Sequence, residues 1–281
     1  MIAFPKNTRV NIPAEILLDE DCSVVVRVNH GHNVNRLRER YGHRLINFET
    51  RAELLQNQDF LQKLVGAKVK VFIRNQDLFD AHMVREKFPA SDVIFCVTPN
   101  PNLVKQLNYL TSLGFRVHVD AAAQTVAEDQ LKKALDFYLH NPLLSVPIEP
   151  FHTLLLTICR RLSYKHNLWH IVMENAETDF YVDDSGAVTL SKRWSARGRS
   201  YGYISQPWDE IVNSELHREL LSFQSEMFRS QKPCIFCSHF GLCGGFLRAL
   251  DEQWPCDVWQ QVFQTMHDEA HRAKQIQNKI G

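Results

Sequence analysis

The sequence lacks a net charge, a long apolar run and a secretory leader, and each absence excludes a class of protein. Its 281 residues carry 32 basic and 32 acidic side chains, so nucleic acid and anionic membranes are not expected as main partners. No apolar run approaches the roughly 18 residues needed to span a bilayer. The start, Met1 to Arg9, has no signal-peptide core, and we therefore expect a cytoplasmic protein.

Cysteine is scarce in most of the chain and is concentrated near its C-terminal end. Four of the seven cysteines follow a C-x2-C-x5-C-x12-C pattern: Cys234, Cys237, Cys243 and Cys256. The two-residue gap lets both thiolates of the first pair bind one centre, and the Gly244-Gly245 pair lets the backbone pass close behind Cys243. Four thiolates suit a tetrahedral zinc ion or a cubane iron–sulfur cluster. Disulfides or free buried thiols are the alternatives, and a reducing compartment disfavours disulfides.

Six short apolar runs with helix-like segments between them predict an α/β fold. The runs are Val24–Asn29, Arg44–Phe48, Val69–Arg74, Val93–Thr98, Phe115–Asp120 and Leu144–Ile148. Their starts are roughly 20 to 30 residues apart, which is the length of one strand–helix unit. Nearly continuous apolar strands are typical of a parallel sheet covered by helices. Six units predict a partial (β/α)6 barrel, and a doubly wound open sheet is the alternative that periodicity does not separate from it.

The helix-like segments and the end of the strand–helix rhythm predict two domains. Apolar residues recur at helical spacing in Arg51–Val65, Asn102–Leu113, Thr125–Leu139 and Pro150–Ser163. Beyond Tyr164 the pattern changes to a β-hairpin at Phe180–Val182 and Ala187–Leu190, a helix at Pro207–Ser230 and a final helix at Asp257–Ile280. We therefore expect one domain in residues 1–163 and a smaller one in residues 164–281.

Polar residues follow several predicted strands, at the end where α/β barrels bind their ligands. The candidates for a site at this barrel mouth are His30, His32, Asp120 and Glu149. They could bind a ligand or act as acid–base groups of an enzyme with a different chemistry. Each also has a structural explanation. The histidines lie in a polar loop before a helix, and the acids lie where helices favour an N-terminal carboxylate.

The C-terminal part of the chain resembles the SPASM domain that is appended to radical SAM enzymes that modify peptides and proteins. The resemblance is carried by Phe180–Gly186, Gly202–Ile204, Trp208–Ser214, and the four cysteines with Gly244-Gly245. It implies that residues 1–163 form a barrel of the radical SAM type and that residues 164–281 form a SPASM-like domain. It also implies that Cys234, Cys237, Cys243 and Cys256 hold one 4Fe–4S cluster.

Two departures from the family's pattern change what the resemblance implies. Radical SAM enzymes bind their SAM cluster with three cysteines after the first strand, but the corresponding loop here, Asn29 to His43, contains none. We therefore expect no SAM binding and no adenosyl radical. Two further family cysteines fall on Ser191 and Leu247, so the first auxiliary cluster should be absent. The four remaining cysteines resemble the complete ligand set of the second one, with no open position for a substrate.

The resemblance thus implies an iron–sulfur protein that generates no radical of its own. It would bind a peptide or protein substrate, relay electrons, or act beside an active maturase enzyme in peptide or protein modification. One alternative is a zinc-stabilised interaction module whose cysteines serve folding only. The other is an enzyme of different chemistry at the barrel mouth. An iron–sulfur cluster colours the protein brown, whereas zinc does not.

Overall fold

The chain folds into an α/β structure with two compact units, each made of two stretches of sequence. The computed structural model describes residues 4, 7–16, 18, 22–73, 80–120, 128–160, 167–251 and 256–280. Within them lie ten strands, most of them parallel, and thirteen helices. Unit 1 comprises Met1–Cys96 and Met173–Phe223, and unit 2 comprises Val97–Val172 and Gln224–Gly281. The domain boundary predicted between residues 163 and 164 lies outside the described residues.

The ten strands are short and most contain β-branched residues. They are β1 (Arg9–Pro13), β2 (Ser23–Arg27), β3 (Leu45–Arg51), β4 (Val69–Ile73), β5 (Val93–Val97), β6 (Arg116–Val119), β7 (Ile148–Glu149), β8 (Asp179–Val182), β9 (Ala187–Thr189) and β10 (Gly202–Tyr203). In unit 1 the order is β10-β9-β8-β1-β2-β3-β4-β5, and among the described residues no pairing joins β10 to β5. In unit 2, β6 and β7 are parallel. The predicted α/β class is confirmed; the curvature of a partial barrel stays a prediction.

Strand β1 lies in the middle of the unit 1 sheet although no apolar run predicted it. It pairs in parallel with β2 on one side and with β8 on the other. Val10 and Ile12 are fully buried, whereas Arg9 and Asn11 are half-buried. This alternation makes the segment look polar in sequence. Through β1, the start of the chain and the segment after Met173 share one sheet.

Five of the six predicted runs coincide with β2 to β6, and the sixth is wrong. The run Leu144–Ile148 contributes only Ile148 to β7. The residues before it form turns, with the Leu144 N–H bonded to the Asn141 carbonyl oxygen, and Leu143 is 88% exposed. Two prolines, Pro142 and Pro147, flank these apolar residues, and proline interrupts strand pairing. The hairpin predicted after residue 179 is confirmed as the antiparallel pair β8 and β9.

Thirteen helices accompany the strands in the described part of the chain. They are α1 (Val34–Tyr41), α2 (Gln58–Leu64), α3 (Ala81–Lys87), α4 (Leu103–Ser112), α5 (Glu128–His140), α6 (Phe151–Arg160), α7 (Leu168–Ile171), α8 (Lys192–Ser195), α9 (Trp208–Val212), α10 (Glu215–Arg229), α11 (Phe240–Cys243), α12 (Phe246–Leu250) and α13 (Asp257–Ile280). None of them is both long enough and apolar enough to cross a membrane.

The long predicted helices are shorter in the structure because polar caps interrupt them. The segment predicted as Arg51–Val65 begins with a 3-10 turn, and α2 starts only after Asn57, whose side chain accepts the Phe60 N–H at 2.9 Å. The segment predicted as Pro207–Ser230 is α9 followed by α10. The final helix has the predicted bounds. Residues 125–127 and 161–163 of two other predicted helices lie outside the described residues.

An ion pair and a backbone cap hold β1 against β8. The Arg9 guanidinium donates to Asp179 Oδ1 at 2.6 Å, and Asp179 Oδ2 accepts the Asn175 N–H at 2.9 Å. The Asp179 side chain is buried, whereas Arg9 is partly exposed. One carboxylate therefore satisfies a charged donor and a loop amide at the junction of the two stretches of unit 1.

Replacing Asp179 with Ala should destabilise unit 1, because it leaves Arg9 and the Asn175 amide without their acceptor. We expect the free energy of unfolding to fall by about 2 to 4 kcal/mol. The matched control is Glu219→Ala, which breaks an exposed pair with Arg199 and should cost less than about 1 kcal/mol. Urea unfolding followed by circular dichroism measures both. Equal losses in the two variants would contradict the role given to Asp179.

Candidate metal centre in the cysteine segment

The cysteine segment, Pro233–Cys256, belongs to unit 2, and its described residues, 233–251 and 256, form short helices joined by tight turns. A 3-10 helix over Pro233–Phe236 carries Cys234, and the Cys237 N–H donates to the Cys234 carbonyl oxygen at 3.1 Å. Helix α11 ends at Cys243. The first two cysteines therefore share one turn, and the third lies at the end of the following helical turn.

Two glycines in the left-handed conformation set the position of Cys243. Gly244 has φ +60° and Gly245 has φ +76°, values that side-chain-bearing residues rarely adopt. The Gly244 carbonyl oxygen accepts the Trp169 Nε1–H at 3.0 Å and the Gln224 amide at 3.3 Å. A Cβ at Gly244 would lie 2.8 Å from Asn167 Nδ2 and 3.0 Å from Trp169 Cδ1. The close approach expected at this glycine is present, but the neighbours are these side chains and not sulfur atoms.

The environment of Cys234 and Cys243 raises the pKa values of these two thiols. Burial raises the pKa of Cys243 to about 12; Cys256 and Cys234 add to the increase, while the Leu247 and Gly245 N–H groups bond to the sulfur and oppose it. Burial also raises the pKa of Cys234, with further contributions from Cys256 and Cys237 and an opposing one from Arg248. All four cysteines belong to unit 2, and mutual charge effects of this kind fall off with distance.

The four thiols of this region are of the chemical type that binds a metal ion or an iron–sulfur cluster. All seven cysteines are free thiols, and the four of the segment are only half-buried. Within the described ranges, no three His, Cys, Asp or Glu side chains are placed so that they could hold one metal ion. The four thiols are thus gathered but not closed around a common point. Neutral thiols do not attract one another, so rotation of these side chains would have to accompany metal binding.

The three remaining cysteines and the two positions that depart from the family pattern differ in burial. Cys22 and Cys96 are buried, and Cys159 is half-buried in α6. Leu247, on α12, is 1% exposed and belongs to the hydrophobic core. Ser191 precedes α8 and is half-buried. Ser191 and Leu247 supply no sulfur ligand. The cysteine segment therefore contains four thiols, Cys234, Cys237, Cys243 and Cys256.

The histidines predicted at the barrel mouth make loop contacts within unit 1. His32 Nδ1 accepts the Asn29 N–H at 2.8 Å, and its Nε2 lies 2.8 Å from Glu15 Oε1. An acceptor at Nδ1 requires the proton on Nε2, which then donates to the carboxylate. His30 is exposed and packs edge-on against Phe60 at 5.1 Å. These contacts order the loop before α1.

The predicted acids lie in unit 2. The Glu149 carboxylate accepts the Thr153 N–H at 3.2 Å and the Thr153 hydroxyl at 2.8 Å, so it caps the first turn of α6. Asp120 follows β6 and its backbone N–H donates to the Val97 carbonyl oxygen at 2.9 Å. Residues 121–127, which follow Asp120, lie outside the described residues. For Glu149 the contacts match the capping explanation.

Sequence reasoning missed a row of charged side chains on the unit 1 sheet. Arg27, Glu49 and Lys70 are register partners on β2, β3 and β4. Glu49 accepts the Asn11 amide at 2.7 Å and lies 3.6 Å from Lys70 Nζ. Burial lowers the pKa of Lys70, but Cys96 and Glu49 outweigh it and the net direction is upward. The available signal was a charged residue inside or directly after each of the first three predicted runs. The charges compensate one another across the strands.

Replacing Gly244 with Ala should distort the turn that positions Cys243. The added Cβ has to displace Asn167, Trp169 and Gln224 in an unfavourable backbone conformation. We expect a loss of about 2 to 3 kcal/mol in the free energy of unfolding, together with lower metal content. The control is Gly66→Ala, which has φ +79° but no atom within 4 Å of the new Cβ, and it should cost about 1 kcal/mol. Urea unfolding and metal analysis test both; equal effects would show that the contacts at Gly244 are unimportant.

Comparison of the chain with protein-family models, with curated proteins and with solved structures gives no match. The resemblance to SPASM domains therefore rests on the residues of this chain, and the candidate metal centre rests on the number and spacing of the cysteines in the segment.

Proposed function

We propose that this chain is a SPASM-like protein that binds one 4Fe–4S cluster through Cys234, Cys237, Cys243 and Cys256. The observation that carries the proposal is the spacing of four free thiols along one part of unit 2, with Cys234 and Cys237 in a single turn. The left-handed turn at Gly244 holds the third cysteine in this region through contacts that do not involve sulfur.

Burial favours the neutral thiols of Cys234 and Cys243, but a few neighbouring groups oppose it and favour the thiolate form that a metal requires. The Leu247 and Gly245 N–H groups bond to the Cys243 sulfur, and Arg248 stabilises a negative charge on Cys234. The cluster, when bound, would supply a one-electron carrier closed to substrate. The chain's own contribution would be to fix four sulfurs and to limit access of water through their partial burial.

The proposed role is that of a partner which generates no radical. The loop from Asn29 to His43 contains no cysteine, so the upstream partial barrel would not hold a SAM cluster. In this loop the side chains of Asn29, His32 and Asn33 form local hydrogen bonds instead. The protein would bind a peptide or protein, or pass electrons, beside an active maturase enzyme in peptide or protein modification.

Anaerobically purified protein should be brown and contain about four iron and four sulfide per chain. Cys237→Ser and Cys243→Ser should each remove more than about half of the metal and lower the melting temperature, because each deletes one of four ligands. The control is Cys159→Ser, a half-buried thiol of the same unit outside the segment, which should keep the metal. Iron, sulfide and zinc analysis is the measurement.

Three results of that analysis are distinguishable. Iron and sulfide that are lost in the Cys243→Ser variant support the cluster. About one zinc per chain that is lost in the Cys243→Ser variant would instead support the zinc-stabilised interaction module. Full metal content in both ligand variants would refute the assignment of these cysteines.

The iron-loaded protein, incubated with SAM and dithionite, should form no 5′-deoxyadenosine. The reason is the absence of cysteine from residue 23 to residue 95, which leaves no three-thiolate site after β2. Chromatography with mass detection measures the product. Repeated turnover would overturn the proposed non-radical role, whereas it would leave the four-cysteine site itself untouched.

A further inference from the structure

Three histidines of unit 2 lie near one another and are not among the residues assigned to the cysteine centre. His239 belongs to the cysteine segment, whereas His267 and His271 belong to α13. The ring centres of His239 and His267 are 5.8 Å apart. His271 follows His267 by four residues, so both side chains project from the same side of the helix. We call these three residues the histidine cluster.

His239 is fixed in position and has a buried nitrogen atom without a hydrogen bond. The residue is 8% exposed, and its carbonyl oxygen accepts the Leu242 and Cys243 N–H groups, each at 3.0 Å. Its ring packs against Phe263 of α13 with 5.5 Å between the centres. Among the described residues no group bonds to His239 Nδ1, although the atom is shielded from solvent. An unpaired buried polar atom is unfavourable in itself, and metal coordination is a use of a ring nitrogen that would satisfy it.

The spacing of the rings suits metal coordination. Two imidazoles that bind one ion, each at about 2.0 to 2.1 Å from nitrogen to metal, have ring centres roughly 5 to 6 Å apart. His239 and His267 have this separation, and their ring planes differ by 30°. Histidines four residues apart on one helix, like His267 and His271, are a recurrent pair of metal ligands.

The third histidine needs a side-chain rotation to join the other two. In the described part of the chain no three ligand side chains already converge on one point. His271 is exposed, so its rotamer can change without disturbing the core. Its Nδ1 lies 3.3 Å from the Gln275 side-chain amide. After a half-turn of that amide its oxygen can accept the Nδ1 proton, which leaves His271 Nε2 for a metal.

A cleft of about 480 Å³ gives solvent access to both histidines of α13. It is lined by Ile158, His267, Asp268, Ala270, His271 and Lys274. Asp268 and Lys274 carry opposite charges, so the repulsion of a cation by the lysine is offset. Imidazole nitrogen suits zinc, nickel and copper ions, whereas magnesium and calcium prefer oxygen ligands. The chemistry of the cluster therefore selects a divalent transition-metal ion.

We propose that the histidine cluster binds one divalent transition-metal ion, separately from the four cysteines. His239 and His267 are two ligands, His271 is the third, and water completes the coordination. The proposal goes beyond the proposed function because it uses no thiol, and it is the same whether the cysteines hold an iron–sulfur cluster or zinc. An ion bound here would link the cysteine segment to α13, since one ligand comes from the former and two come from the latter.

The test uses nickel(II) as the probe, because neither an iron–sulfur cluster nor a zinc module contains nickel. The full-length protein, purified anaerobically with its cysteine centre as isolated, is titrated with nickel chloride in a calorimeter. We expect about one nickel per chain, with nitrogen and oxygen but no sulfur neighbours in the nickel X-ray absorption spectrum. His267→Ala should weaken binding at least about 10-fold, since loss of even an outer-shell partner of a ligating histidine typically costs that much. The matched control is His140→Ala, an exposed histidine of α5 in the same unit, which should leave the affinity unchanged.

A second variant tests the buried ligand. His239→Gln removes the imidazole but keeps a polar side chain, and it should weaken nickel binding to a similar extent as His267→Ala. Circular dichroism of the same sample shows whether this variant folds. If it does not fold, His267→Ala decides alone, because His267 is exposed and its replacement leaves the core intact.

Each outcome decides the proposal. Nickel binding that weakens in His267→Ala but not in His140→Ala supports it. No nickel binding, sulfur neighbours in the spectrum, or an unchanged affinity in His267→Ala overturns it. Unchanged affinity in a folded His239→Gln variant also overturns it, because His267 and His271 would then act as a surface pair on α13 alone. Iron, sulfide and zinc analysis of the same samples reports on the cysteines, so failure of the histidine cluster and failure of the proposed function are told apart.

Discussion

The left-handed turn at Gly244 and Gly245 is the constraint on which the cysteine segment depends. It reverses the chain between α11 and α12, and its carbonyl oxygen is bonded to Trp169 of α7. The reversal aims the Gly245 and Leu247 N–H groups at the Cys243 sulfur. These contacts need no metal, so the backbone that presents Cys243 is organised by packing and hydrogen bonding. At Cys243 a metal would therefore meet a backbone that is already ordered, which lowers the entropic cost of binding at this ligand.

The parts of the fold that the sequence predicts are those in which local pattern and long-range structure agree. The apolar runs of β2 and β5 are predicted correctly because these parallel strands are buried on both faces over most of their length, and β4 is predicted through its buried Val69, Val71 and Ile73. Strand β1 escapes prediction because its polar positions are used by distant partners. Asn11 bonds to Glu49, and Arg9 bonds to Asp179, 170 residues away in sequence. No local pattern contains such pairings.

The same reasoning separates what was predictable about the candidate site. Cysteine spacing identifies the segment because few residue types replace a thiolate ligand. The requirement for glycine beside Cys243 is also readable, but Asn167 and Trp169, which impose it, come from a separate stretch of chain. The partners of charged residues within β-strands, by contrast, are not readable from the sequence. Glu49 looks like an interruption of an apolar run, yet in the sheet it lies between two cations on neighbouring strands.

The charge of an occupied centre has to be reconciled with the surroundings of its thiols. Four thiolates around a doubly charged metal core would carry about two negative charges. The raised pKa values of Cys234 and Cys243 show that burial opposes such a charge. The Gly245 and Leu247 N–H groups and Arg248 offset only part of this opposition. The charge of the metal would have to supply the rest, so loss of the thiol protons and metal binding would be one coupled step.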